Sequence, residues 1–127
     1  MEISTQGFRL KLLLSDCDSE GWMDTEVSID TDVFKGGFFC QIEVQEWRGL
    51  ISKLESLYSA VGEDHQAEWS NMESNIELQF KMNSSGQLEV EYRFCPSSFS
   101  GPYLSGEFTA DQSYLPQWIR GAKEYGA

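Results

Sequence analysis

Apolar residues recur along this chain in two different periods, and the switches between them divide it into elements. Over residues 76–94 the period is two: Ile76, Leu78, Phe80 and Met82 alternate with polar positions, Asn83-Ser84-Ser85-Gly86 supplies turn residues, and Leu88, Val90, Tyr92 and Phe94 resume. Glu77, Gln79, Lys81, Glu89, Glu91 and Arg93 then share the opposite face, the pattern of an antiparallel hairpin covered on one side. Upstream, Phe8, Leu10, Leu12 and Leu14 alternate around Arg9 and Lys11, and Met23, Thr25, Val27 and Ile29 alternate with Asp24, Glu26 and Asp30. Phe34 and the apolar run over residues 38–44, around Gly36-Gly37, predict a further strand.

From Trp47 the period becomes helical. Trp47, Leu50, Ile51, Leu54, Leu57, Tyr58 and Val61 fall on one helix face, and Gly62 is placed to end it. Residues 63–75 have weak periodicity and room for one short strand. After the hairpin, Cys95-Pro96-Ser97-Ser98-Phe99-Ser100-Gly101-Pro102 is turn chemistry, and Leu104, Gly106, Phe108 and Ala110 alternate as a last strand. Pro116 suits a first helical turn, with Leu115, Trp118, Ile119 and Ala122 on one side and Arg120 and Lys123 toward the C-terminal end. The predicted fold is α+β: a largely antiparallel curved sheet or sandwich of about six to seven strands, one mid-chain helix and one C-terminal helix. A single domain over residues 1–127 is expected at this length.

Charge adds what periodicity does not. Twenty-one Asp and Glu against nine Lys and Arg give a net charge of -12. Such a chain repels nucleic acid and anionic membranes and favours basic partners. Seven acids and no base lie within residues 16–32: Asp16, Asp18, Glu20, Asp24, Glu26, Asp30 and Asp32. A signal-like N-terminus and a long apolar run are both missing, so a cytosolic protein with no membrane contact is expected.

The residues offer little catalytic chemistry. A nucleophile-histidine mechanism has only His65 to draw on, in an acidic segment with no nucleophile motif beside it. Cys17, Cys40 and Cys95 are too scattered for a zinc site or a disulfide framework, and no glycine-rich phosphate loop opens either helix. Asp16-Cys17-Asp18-Ser19-Glu20-Gly21 resembles the opening of a calcium loop, but Val27 stands where the bidentate Glu belongs. No enzyme, no cofactor and no metal is therefore expected.

Several segments together resemble the WapI-type immunity proteins. These are the alternating N-terminal strand, the acidic strand with Trp22, Phe34-Lys35-Gly36-Gly37-Phe38, the Trp47 helix, and Phe108-Thr109-Ala110-Asp111-Gln112-Ser113-Tyr114-Leu115-Pro116. The resemblance implies an intracellular protein that binds and neutralises the toxin domain of a wall-associated polymorphic toxin, with no catalytic residues of its own; the rows of carboxylates, which can imitate nucleic acid in a basic cleft, make a nuclease the expected toxin. It implies that Asp111 to Pro116 define the fold, as a turn and a helix start. The contact surface is read from physics instead: Asp16, Asp18, Glu20, Asp24, Glu26, Asp30 and Asp32 offer charge to a basic partner, and Trp22 offers an aromatic anchor. The alternative is an acidic interaction or scaffold module with no toxin partner.

Overall fold

The computed structural model of the chain describes residues 1–97 and 100–125. The elements run β1 (Glu2–Thr5), β2 (Phe8–Leu14), β3 (Trp22–Thr31), β4 (Lys35–Glu43), α1 (Val44–Ser59), β5 (His65–Ser70), β6 (Ile76–Met82), β7 (Gln87–Phe94), β8 (Leu104–Asp111), a 3-10 turn (Gln112–Tyr114) and α2 (Leu115–Lys123). The strands form two antiparallel four-stranded sheets, β1-β2-β3-β4 and β5-β6-β7-β8, and α1 carries the chain from the first to the second.

The α+β order with its two helices is as the periodicity predicts, and the strands number eight instead of about six to seven. The added strand is β1. It buries one interior strand side chain, Ile3, which is too short an alternation to read. The short strand allowed for in residues 63–75 is β5, whose faces alternate around the buried Trp69. Helix α1 begins at Val44, three residues before Trp47, because Glu43 and Glu46 form a reciprocal capping box. It ends at Ser59, before Val61, and both Val61 and Tyr58 of the last turn, read as apolar-face residues, stand exposed. In the turn segment after β7, Ser98 and Phe99 lie outside the described residues.

The inner faces of both sheets meet in one core. Phe8 of β2 stacks on Phe108 of β8 with ring centroids 4.3 Å apart, and Tyr92 of β7 lies 4.8 Å from Phe8. Gly106 is what lets Tyr92 lie flat across β8: a Cβ there would stand 2.5 Å from the phenol oxygen. Helix α1 covers this core with Trp47, Leu50, Ile51, Leu54 and Leu57, and α2 adds Leu115, Trp118 and Ala122. Asp111 caps the turn into α2. Its carboxylate accepts from the Ser113 hydroxyl and from the Ser113 N–H, and these bonds hold it below the usual carboxylate range. The Asp-Gln-Ser-Tyr-Leu-Pro stretch is thus the turn and helix start that the resemblance implies, with Pro116 in the first turn of α2.

The two helices are joined by one buried polar bond, from Trp47 Nε1 to the Ala122 carbonyl at 2.9 Å. Replacing Trp47 by Phe keeps an aromatic ring but removes the indole donor, and the Ala122 carbonyl keeps the Tyr125 N–H as a partner at 3.2 Å. Trp47→Phe is expected to lower the unfolding free energy by about 0.5–1.5 kcal/mol through the lost bond, read in a urea titration.

Candidate partner-binding surface

Period two places Trp22, Asp24, Glu26, Ser28 and Asp30 of β3 on the outer face of the first sheet, while Met23, Thr25, Val27 and Ile29 are buried. Strand pairing decides what surrounds each acid. Asp30 lies opposite Arg9 on one side and Lys35 on the other, and Lys35 Nζ approaches its carboxylate at 3.9 Å. Ser28 faces Lys11. Toward the other end the neighbours carry no positive charge: Glu26 sits between Leu13 and Phe39, Asp24 pairs with Gln41, and Trp22 pairs with Glu43. Gln41 Nε2 donates to Asp24 at 3.1 Å, and Trp22 is half-buried. The outer face of the first sheet is therefore polarised along β3, with bases beside Asp30 and unopposed acids around Asp24 and Glu26.

The remaining candidates occupy the two ends of β3. Asp16, Asp18 and Glu20 belong to the exposed β2–β3 loop, next to the unopposed acids. Asp18 shapes that loop: its Oδ1 accepts from the N–H groups of Glu20 (2.8 Å) and Trp22 (3.0 Å). Asp32 is in the β3–β4 turn at the far end, beside Gly7. A ten-residue strand spans roughly 33 Å, so Asp32 and the loop acids cannot meet one small site. The structure brings together Asp24, Glu26 and Trp22 with the loop acids as neighbours, and sets Asp30 and Asp32 apart.

Four exposed apolar residues of the first sheet and its β3–β4 turn were not among the sequence candidates. Phe39 is 76% exposed and Leu13 43%, and they flank Glu26; Val33 (78%) and Phe34 (59%) form the β3–β4 turn. For two of them the signal is in the alternation. Leu13 is out of phase with Leu10 and Leu12, and Phe39 with Phe38 and Ile42, so each points away from the core its neighbours fill.

The second sheet offers a rival surface. Its outer face curves into an open hollow of about 840 Å³ whose lining includes Glu68, Glu77, Glu91 and Glu107 together with Arg93 and Lys53. Here three of the acids are partnered: Arg93 lies 3.9 Å from Glu77 and 4.5 Å over the Tyr103 ring, Lys81 lies 4.0 Å from Glu91, and Gln79 donates to Glu68 at 3.0 Å, while Glu107 stands opposite Glu91. His65 is half-buried and its Nε2 meets Ser56 Oγ at 2.8 Å. That is the spacing of a nucleophile and its base, but among the described residues no carboxylate bonds the other ring nitrogen to orient it. No group of three or more His, Cys, Asp or Glu among the described residues is arranged to hold a metal ion, and no helix is long and apolar enough to cross a membrane.

A family model described as the Immunity protein WapI-like family matches residues 1–125. No functionally curated protein matches the chain. Among solved structures it is similar to a protein with unknown function from the DUF155 family of Prochlorococcus sp. NATL2A, at 9% identity and a TM-score of 0.38, over 98% of this chain and 97% of that one. A likeness that distant carries no argument.

The thiols differ in environment. Cys17 is exposed in the β2–β3 loop, Cys95 is buried, and Cys40 is half-buried on the inner side of β4. Burial, with Glu73 and Glu46 nearby, pushes the Cys40 thiol up to about 12. A protonated thiol is a poor nucleophile. Labelling with iodoacetamide at pH 8 is expected to modify Cys17 first and leave Cys40 and Cys95 largely unmodified in the folded protein, as read by peptide mass spectrometry.

Proposed function

The chain belongs to the WapI-like immunity protein family, and from that premise we propose that it binds and neutralises a polymorphic toxin domain, a basic nuclease, in the cytoplasm of the cell that makes both. It acts by binding, without turnover of its own. The contact surface is the acidic end of the first sheet: Asp24 and Glu26, the half-buried Trp22, the exposed Leu13 and Phe39, and the loop acids Asp16, Asp18 and Glu20. The single observation that carries this placement is the run of unopposed carboxylates interleaved with exposed apolar side chains, since a partner there gains both steering charge and desolvated contact area. Asp30 and Asp32 contribute to the long-range field and lie outside the contact itself. The nuclease assignment rests on charge: a cleft that holds a polyanion is positively charged, and a net charge of -12 suits it.

In the hollow of the second sheet, Glu68, Glu77 and Glu91 already have cationic or amide partners, so an incoming base would have to displace them, and of the four lining acids only Glu107, opposite Glu91, lacks such a partner among the described residues. This favours the first sheet over the second as the docking face.

Two measurements test the reading. Co-expression of the chain with its cognate toxin domain should restore growth, and the purified chain alone should show no nuclease, hydrolase or transferase turnover. Asp24→Asn with Glu26→Gln should slow association by roughly fivefold to tenfold at low ionic strength and flatten its salt dependence, with little change in melting temperature because both side chains are exposed. Glu77→Gln with Glu89→Gln is the matched control. Slower association in the control pair and not in the Asp24/Glu26 pair would place the contact on the second sheet.

A further inference from the structure

Strand β4 is an edge of its sheet, and its hydrogen-bonding parity can be read from both ends. Thr31 N donates to Phe34 O at 2.7 Å, and Val44 N donates to Gly21 O at 2.8 Å. Alternation between these two bonds turns the backbone groups of Gly36, Phe38, Cys40 and Ile42 toward β3. The backbone groups of Lys35, Gly37, Phe39, Gln41 and Glu43 therefore face outward.

The two halves of that outward row are treated differently. The Gln41 carbonyl accepts from Asn71 Nδ2 at 3.3 Å, and the Glu43 N–H donates to Glu46 Oε2 at 3.0 Å, so the C-terminal half is closed by side chains of neighbouring elements. The outward N–H and C=O groups of Lys35, Gly37 and Phe39 have no partner among the described residues. Edges are ordinarily blunted by charge, proline or a covering element. This stretch has one Lys at its start, two glycines without side chains, and an aromatic ring that is 76% exposed.

We propose that the Lys35–Phe39 half of the β4 edge pairs with an extended, basic segment of the toxin domain, which adds a fifth strand to the first sheet. This rests on the toxin-binding reading and specifies how that binding is made. A strand is the one element that satisfies three alternate N–H donors and three alternate C=O acceptors in a row. Its side chains opposite Phe39 would lie on the same face as Glu26, two strand spacings or about 10 Å away, within reach of Arg or Lys. A second copy of this chain is disfavoured as occupant, because each copy brings a net charge of -12. Of the other edges, β1 has α2 packed against it and β5 has α1, and β8 is less suited. Its outward residues are Ser105, Glu107, Thr109 and Asp111 by the same parity, its Thr109 carbonyl accepts from Thr5 Oγ1, and Glu107 guards its middle.

Amide hydrogen exchange on the unaltered protein, with and without the purified toxin domain, tests this directly. The amides of Lys35, Gly37 and Phe39 should slow by roughly tenfold or more on binding, and those of Ser105 and Glu107 should not change. A paired substitution separates backbone from side chain: Phe39→Pro, which removes an outward N–H and no bond to β3, should bind about tenfold more weakly than Phe39→Ala. If the toxin domain binds and the Asp24/Glu26 pair slows association but the three amides stay unprotected, the strand-addition proposal is overturned and the toxin-binding reading stands. If the chain does not bind the toxin domain, both are overturned. Protection of these amides in the protein alone, rising with its concentration, would put a second copy on the edge and overturn the proposal as well.

Discussion

One side chain ties the two sheets together, and the form of the exposed surface follows from it. Glu46, in the first turn of α1, accepts the Glu43 N–H at the end of β4 through Oε2 and the Met72 N–H of the β5–β6 turn through Oε1, while its own carbonyl accepts from Trp69 Nε1 at 2.7 Å. Helix start, strand end and the turn of the second sheet thus meet at one residue. Asn71 extends the junction. Its amide reaches Gln41 of β4 and Asn75, its Oδ1 accepts from Ile76 N, and Asn75 Nδ2 donates to the Cys95 carbonyl, so a buried amide pair links β4, β6 and the residue that follows β7. Partly desolvated bonds of this kind are costly to leave half-made, which fixes the relative position of the two sheets.

The junction covers only the end of β4 nearest α1. Beyond Gln41 no outward backbone group of that edge is bonded among the described residues, and the strand emerges with Phe39, Gly37 and Gly36 exposed next to the unopposed acids of β3. A protein whose role is to hold one partner needs a rigid, accessible and chemically particular surface. Here rigidity comes from the junction and the shared core, access from the place where the junction stops, and chemistry from the carboxylates that cross-strand bases leave unneutralised.

The strand phases, the hairpin at residues 76–94 and both helices were legible in the sequence because each buries enough alternating side chains to set a period. Strand β1 was not, since Ile3 is its one fully buried side chain, and the start of α1 was not, since a Glu-to-Glu capping box lacks the usual Ser or Thr. The candidate surface was half legible. Parity alone puts Asp24, Glu26 and Asp30 on one face, but only pairing reveals that Arg9 and Lys35 stand beside Asp30 and that Leu13 and Phe39 stand beside Glu26. The hollow of the second sheet depends on sheet curvature, which one-dimensional patterning does not carry.

The central claim is that the toxin domain sits on the first sheet at the β3–β4 end. A crystal structure of the complex tests it most directly. The account predicts that Asp24, Glu26, Phe39 and the Lys35–Phe39 edge are buried by the toxin while the hollow lined by Glu68, Glu91 and Arg93 remains open to solvent. A complex with the toxin seated in that hollow, and with Phe39 still exposed, would contradict it.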